Sequence, residues 1–184
     1  MTTTKWVLDP THSELSFKIK HLMIASVSGS FKNFQVEMET EDDGFGSAQI
    51  RVTADMNSIN TNNEQRDAHL RNADFFETEK YPELKFVSSR IDLAANDEFE
   101  LYGDLTMKGV TKPVRLNVEY SRVARDPWGS ERTGFVVTGK INRSEWGVTF
   151  NSLLEAGGFA LGEEVKLTGE IQMIKQAVPV AIAV

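Results

Sequence analysis

The sequence predicts an all-β chain of about eight antiparallel strands with one short helix at an end. Three observations carry this. Apolar residues recur at every second position through most of the 184 residues, turn-forming residues separate these runs, and one stretch alone shifts to helix-forming residues.

In chain order, Leu15, Phe17 and Ile19 alternate with Glu14, Ser16, Lys18 and Lys20. Phe34, Val36 and Met38 alternate with Gln35 and Glu37, and Ile50, Val52 and Ala54 with Arg51, Thr53 and Asp55. Residues Leu84 to Ile91 form a fourth run. Leu101, Gly103, Leu105 and Met107 then share a face, as do Val114, Leu116 and Val118. Phe135, Val137, Gly139 and Ile141 follow, and Val165, Leu167, Gly169, Ile171 and Met173 complete the set. Each reads as a strand with one dry and one wet face. The intervening turn signals are Asp42-Asp43-Gly44, Ala95-Asn96-Asp97, Lys108-Gly109, Asp126-Pro127-Trp128-Gly129 and Gly157-Gly158. Between the third and fourth strands, Asn62 to Arg71 offers an Asn cap, early acids and good helix formers, and predicts a short helix ending before Phe75-Phe76.

Without helices between the other strands, parallel crossovers are not expected and the choice lies between a sandwich and an antiparallel barrel. Strands of about ten residues at roughly 3.3 Å each give a wall near 30 Å long, and about eight such strands close into a barrel that holds side chains or one slim ligand. The small inward residues Ala54, Gly103, Gly139 and Gly169 would leave axial space unless larger neighbours fill it. Periodicity does not choose between a filled core and a cavity.

Composition removes several functions. Hydrophobic residues at 40% and charged residues at 26% describe a folding globular chain. A net charge of -7 opposes nucleic-acid binding. The absence of cysteine removes disulfides, thiolate metal sites and thiol nucleophiles. His12, His21 and His69 fit no metal-ligand spacing, although His12 and His21 are expected to approach each other if they lie on neighbouring strands. No nucleophile elbow, phosphate loop or dinucleotide fingerprint is present. No catalytic residue, metal site or catalytic cofactor is therefore expected. Arg66 and Asp67 read either as a surface ion pair or as groups orienting a polar ligand atom.

The N-terminal residues carry no signal-peptide pattern, so the expected location is cytoplasmic, or periplasmic if a leader has been removed. The longest apolar run, Ala177 to Val184, is too short to span a bilayer. Residues 1–176 are expected to form the barrel, and 177–184 an apolar tail that packs on the barrel or on a second subunit, consistent with a homodimer.

Several blocks resemble the YceI-like family of polyisoprenoid-binding proteins. Trp6-Val7-Leu8-Asp9 with His12-Ser13, Phe17 and His21-Leu22 is similar to its opening strand, and Val27 to Phe31 with Phe34 to its second. The most specific block runs from Ser58 through Asn62-Asn63-Glu64-Gln65-Arg66-Asp67-Ala68-His69 to Phe75-Phe76 and Lys80-Tyr81-Pro82. Gly103 to Val114, Ile141 to Gly147 and Gly162 to Val165 follow in order. Asn60 stands where the family commonly has an acid, and Trp146 replaces a frequent Phe.

The resemblance implies a lipocalin-like barrel whose interior holds a long isoprenoid or similar lipid, with no established catalytic residues; transient membrane contact is also expected. The alternatives are an enzyme acting on such a lipid with His69 or His12 as acid–base group, or a filled-barrel structural or stress-related interaction module. The resemblance implies that Phe17, Ile19, Phe31, Ile50, Val52, Leu101, Leu105, Met107, Phe135 and Val137, inward by alternation, line the ligand tunnel. Arg66, His69, Leu70, Phe75 and Phe76 would then cover one end and offer cationic partners to a headgroup.

Overall fold

A computed structural model describes residues 2–41 and 44–177. The tail beyond Ala177 and the pair Asp42-Asp43 lie outside the described residues. The strands are β1 (Thr3–Leu8), β2 (Glu14–His21), β3 (Ala25–Phe31), β4 (Phe34–Glu41), β5 (Gln49–Asp55) and β6 (Ile59–Asn60). After the helix α1 (Glu64–Arg71) come β7 (Glu83–Leu93), β8 (Glu98–Met107), β9 (Val110–Tyr120), β10 (Ala124–Arg125), β11 (Glu131–Asn142) and β12 (Leu161–Lys175).

Every pairing between these strands is antiparallel, and eight of them close on themselves in the order β1-β4-β5-β7-β8-β9-β11-β12. The barrel is therefore the predicted one, but its membership differs by one strand. β1, recognised only through its family resemblance, stands in the ring, whereas β2 lies beside it. β12 explains the exchange: one edge pairs with β11 from Asn142↔Glu164 to Arg132↔Ile174. The other edge takes β1 at Leu8↔Met173 and β2 from Glu14↔Glu170 to His21↔Leu161. What the resemblance presents as one opening strand is thus two, separated by a 3-10 turn at Pro10–His12. Asp9 caps that turn by accepting from the Thr11 N–H, and Pro10 fits its first position because no amide hydrogen is needed there. β2, β3 and β6 extend the wall at the α1 end.

Two tight hairpins turn through positive φ. Asn96 and Asp97 have φ 63° and 56°, and the Lys108-Gly109 turn has 50° and 74°. Asn60 serves its own turn, its side-chain oxygen accepting from the Asn62 N–H at 2.9 Å. The departure from the usual acid therefore preserves an acceptor.

Two of the small inward residues singled out above, Gly103 and Gly139, are covered, as is Gly29 on β3. The Phe17 ring lies over Gly29, Phe86 over Gly103, and Leu116 over Gly139. These glycines admit large neighbours rather than leave holes. A Cβ at Gly103 would fall 2.4 Å from both Phe86 Cζ and the Val87 carbonyl oxygen. Since the latter is backbone, Gly103→Ala is expected to destabilise the barrel by about 1–3 kcal/mol, measured by urea unfolding; a midpoint equal to wild type would contradict this packing.

At the end opposite α1, Arg132 lies between two acids, donating at 2.6 Å to Asp9 and at 2.6 Å to Asp126. Hydrogen bonds from Thr11, then His12 and Arg132, hold the Asp9 carboxyl well below the usual carboxylate range against the opposing effect of burial. Asp126 is also lowered, chiefly by Arg132. Because both folded values lie below the unfolded ones, the unfolded chain binds protons first on acidification. Their stabilisation is complete above the unfolded carboxylate pKa of about 4 and is lost as pH falls from there toward the folded values. Asp9→Asn with Asp126→Asn should flatten the acid limb of Tm against pH, and an unchanged slope would place acid sensitivity elsewhere.

Candidate functional site

Inside the barrel lies a cavity of about 440 Å³. Along β12 its lining includes Val165, Leu167, Gly169, Ile171 and Met173, a wall of roughly 26 Å at about 3.3 Å per residue. Gly169 is the small residue that borders this space without a side chain lying over it: a Cβ there meets Val137 Cβ at 3.5 Å and Ile171 Cγ1 at 3.6 Å, ordinary contact distances.

The floor is aromatic. Phe45, carried inward by a 3-10 turn, lies 6.0 Å from Trp6, 5.2 Å from Tyr120 and 5.3 Å from Phe135 between ring centres. Phe99 adds contacts with Tyr120 and Phe135. Trp6 is anchored by its indole N–H, which donates to Thr40 Oγ1 at 3.2 Å. These interlocked rings stop the cavity at that end.

The opposite end is built by α1 and the chain around residues 148–161. Asn63 caps α1, its side chain accepting from the Arg66 N–H at 2.9 Å. Buried Asp67 accepts from both the backbone N–H and the hydroxyl of Thr61. Arg66 Nε donates to Thr61 Oγ1 at 2.8 Å and Nη2 to the Thr61 carbonyl at 2.7 Å. Arg66 and Asp67 are therefore two straps on Thr61, not an ion pair with each other. The Arg66 Nη1 lies outside these bonds.

His69 turns its Nε2 toward Asp74 at 2.8 Å and packs its ring edge-on against Phe75 and Phe150 at 4.9 and 5.0 Å. The fully buried Trp146 donates to the Leu105 carbonyl at 3.0 Å. It follows Arg143 in a 3-10 turn capped by Gly147 at φ 76°. Arg143 is itself only 3% exposed and donates to the carbonyls of Gly162, Val148 and Phe150, each at 2.9 Å. Burial lowers the Arg143 pKa, with Glu163 acting against that change.

All the residues singled out for the tunnel border this cavity. Phe17, Ile19 and Phe31 do so from β2 and β3, and Ile50 and Val52 from β5. Leu101, Leu105 and Met107 enter from β8, and Phe135 and Val137 from β11. Arg66, His69, Leu70, Phe75 and Phe76 meet it at the α1 end. Alternation also marks β12's contribution. Phe150, Asn151, Ser152 and Ala160 border the cavity from outside the regular strands, where no periodic signal exists. His12 and His21 are not brought together: one precedes β2 and the other ends it, with the strand's length between them. Among the described residues no cluster of His, Asp or Glu is arranged to hold a metal.

The lining is overwhelmingly apolar. Among the described residues its charged members are Arg66 and Arg143, with no carboxylate. Of its polar residues, His21, Arg66, His69, Asn151 and Ser152 lie at the α1 end, where Ser152 and Arg66 are also solvent-exposed, while Ser16 and Thr168 stand along the wall.

A closed antiparallel barrel with an apolar interior, an aromatic floor and polar groups at its mouth places the chain among the cavity-bearing β-barrels. The chain belongs to the YceI-like family, whose domain matches residues 6–173. It is 42% identical over 164 residues to a UPF0312 protein of Staphylococcus aureus, covering 89% of this chain and 93% of that one. The Campylobacter jejuni YceI protein is similar in structure, with TM-score 0.72 and 32% identity over 87% of this chain and 91% of its own. Burkholderia cenocepacia BcnA shares the fold at TM-score 0.78 and 21% identity, covering 90% and 98%. A polyisoprenoid-binding domain from Saccharophagus degradans shares it at TM-score 0.63 and 18% identity, covering 93% and 98%.

Proposed function

We propose that this protein binds one long-chain isoprenoid or similar amphiphilic lipid, such as a polyprenyl phosphate, a quinone or a quinone precursor, and shields it from water as a carrier, store or sensor. The observation that carries this reading is the continuous apolar cavity whose charged lining residues are both arginines. Burial is favourable by about 0.8 kcal/mol per CH₂ before ordering costs. A tail therefore needs few polar contacts. Among the described residues the lining presents no carboxylate to a neutral or anionic end group, whereas a cationic one faces Arg66. The Saccharophagus degradans domain supports the isoprenoid class, since it has this fold and is described as polyisoprenoid-binding. The proposed activity is capture rather than catalysis and requires no catalytic cofactor.

Native mass spectrometry of protein purified from its source without detergent should show one added lipid mass per chain. Organic extraction should release that molecule for identification. Empty protein that also fails to take up an offered labelled prenyl phosphate would reject the proposal.

A further inference from the structure

The mouth of the cavity carries an exposed apolar rim. The β2–β3 turn is Leu22-Met23-Ile24, exposed by 49, 72 and 93% respectively. The Leu22 N–H donates to the Ala160 carbonyl at 2.8 Å, which sets this tip beside a loop where Leu153 and Phe159 face each other across a β-bridge. Both of those side chains are also largely exposed. Leu22 and Met23 have φ values of 51° and 64°. Glycine or asparagine relieves such a backbone, yet large apolar side chains occupy it. Strained positions of this kind cluster where a surface has a task.

The rim adjoins the cavity through His21, Ser152 and Ala160. Behind it, on the outer wall, strand register places Lys140 opposite Lys166 and Lys166 opposite Lys18. Lys18 lies roughly 13 Å along the strand from Leu22 and Lys20 roughly 7 Å. Glu164 reaches Lys140 at 3.8 Å and Glu163 reaches Arg143 at 3.5 Å. Among the described residues no ion pair engages Lys18, Lys20 or Lys166. Like charges set directly opposite across strands repel, and a chain of net charge -7 has gathered three of its lysines this way.

From these features we infer that the barrel docks mouth-first on a bilayer bearing anionic headgroups. The Leu22-Met23-Ile24 tip and the Leu153/Phe159 loop enter the acyl boundary, and the lysines meet phosphates just above it. The inference rests on the lipid-capture reading, because docking in this direction joins the cavity to the bilayer and lets a tail pass between them without crossing water. Apolar insertion and phosphate attraction together select an anionic membrane over a neutral one.

Flotation of the full chain with isoprenoid-free vesicles tests docking apart from cargo. Vesicles of equal parts phosphatidylcholine and phosphatidylglycerol should bind at least about tenfold better than pure phosphatidylcholine, with the advantage shrinking as salt rises. Ile24→Asp should weaken that binding by at least about tenfold with an unchanged melting curve. Lys18→Ser with Lys166→Ser should remove most of the preference for anionic vesicles. No binding to either vesicle, equal binding to both, or insensitivity to Ile24→Asp would overturn the proposal. So would a dimer in solution that Ile24→Asp dissociates, since the rim would then belong to a second copy. Uptake of a labelled prenyl phosphate by protein that fails to float leaves lipid capture standing without docking. Flotation without uptake does the reverse.

Discussion

Gly169→Phe is expected to weaken lipid capture by about two orders of magnitude while leaving the barrel folded. At this position a Cβ makes only ordinary contacts with Val137 and Ile171, and Gly169 borders the cavity directly. A larger side chain can therefore grow into the empty space without displacing backbone. It lies in the middle of β12, paired with Val137 on one side and Leu15 on the other, so the aromatic ring would project across the tail's path. Strand propensity favours Phe over Gly, which leaves stability unchanged or raised. Excluding about four methylenes, each contributing about 0.8 kcal/mol, weakens binding roughly two hundredfold. Titration with a labelled prenyl phosphate reads the loss, and urea unfolding reads the retained fold. Normal affinity in the variant would mean that the ligand does not use the axial cavity.

The contrast between Gly169 and Gly103 also shows how far the sequence can be read. Both occupy inward positions of an alternating strand, and alternation gives them the same meaning. Only packing separates them: Phe86 covers Gly103, whereas a Cβ at Gly169 makes only ordinary contacts at the edge of the cavity. Alternation exposed the long strands because a barrel wall has one dry face and one wet one. It did not reveal β1, where three polar residues precede Trp6, and that strand became visible through resemblance alone. It could not divide the opening block at Pro10–His12, since the break depends on β12 changing partners. The tunnel residues on strands were readable for the same reason as the strands. The loop residues Phe150 to Ser152 were not, because their placement depends on distant hydrogen bonds from Arg143 and between Asn151 and Leu161. Likewise, the short Arg66–Asp67 sequence suggests an ion pair, but Thr61 offers both side chains better partners.

Those bonds make Arg143 the second position of large expected effect. Its guanidinium is nearly fully buried and joins three separate carbonyls, at Gly162 where β12 begins and at Val148 and Phe150 in the segment beside the mouth. The fork geometry of arginine serves several acceptors from one planar group, a task that the single ammonium of lysine does not reproduce. Arg143→Ala leaves these carbonyls without their donor and opens a void beside Trp146 and the cavity. Charge-assisted bonds contribute more than neutral ones, and unsatisfied buried acceptors carry a further penalty, so the loss should reach about 3 kcal/mol in urea unfolding. Arg143→Lys should recover less than half of it. Because the arginine also borders the cavity, its effect on ligand must be separated from its effect on fold. At temperatures well below unfolding, the variant should still take up a neutral prenyl alcohol, with faster release through the loosened 148–152 segment. If stability instead stayed within about 1 kcal/mol of wild type while affinity for prenyl phosphate alone collapsed, the guanidinium would be acting on the lipid's anionic end rather than holding the wall around it.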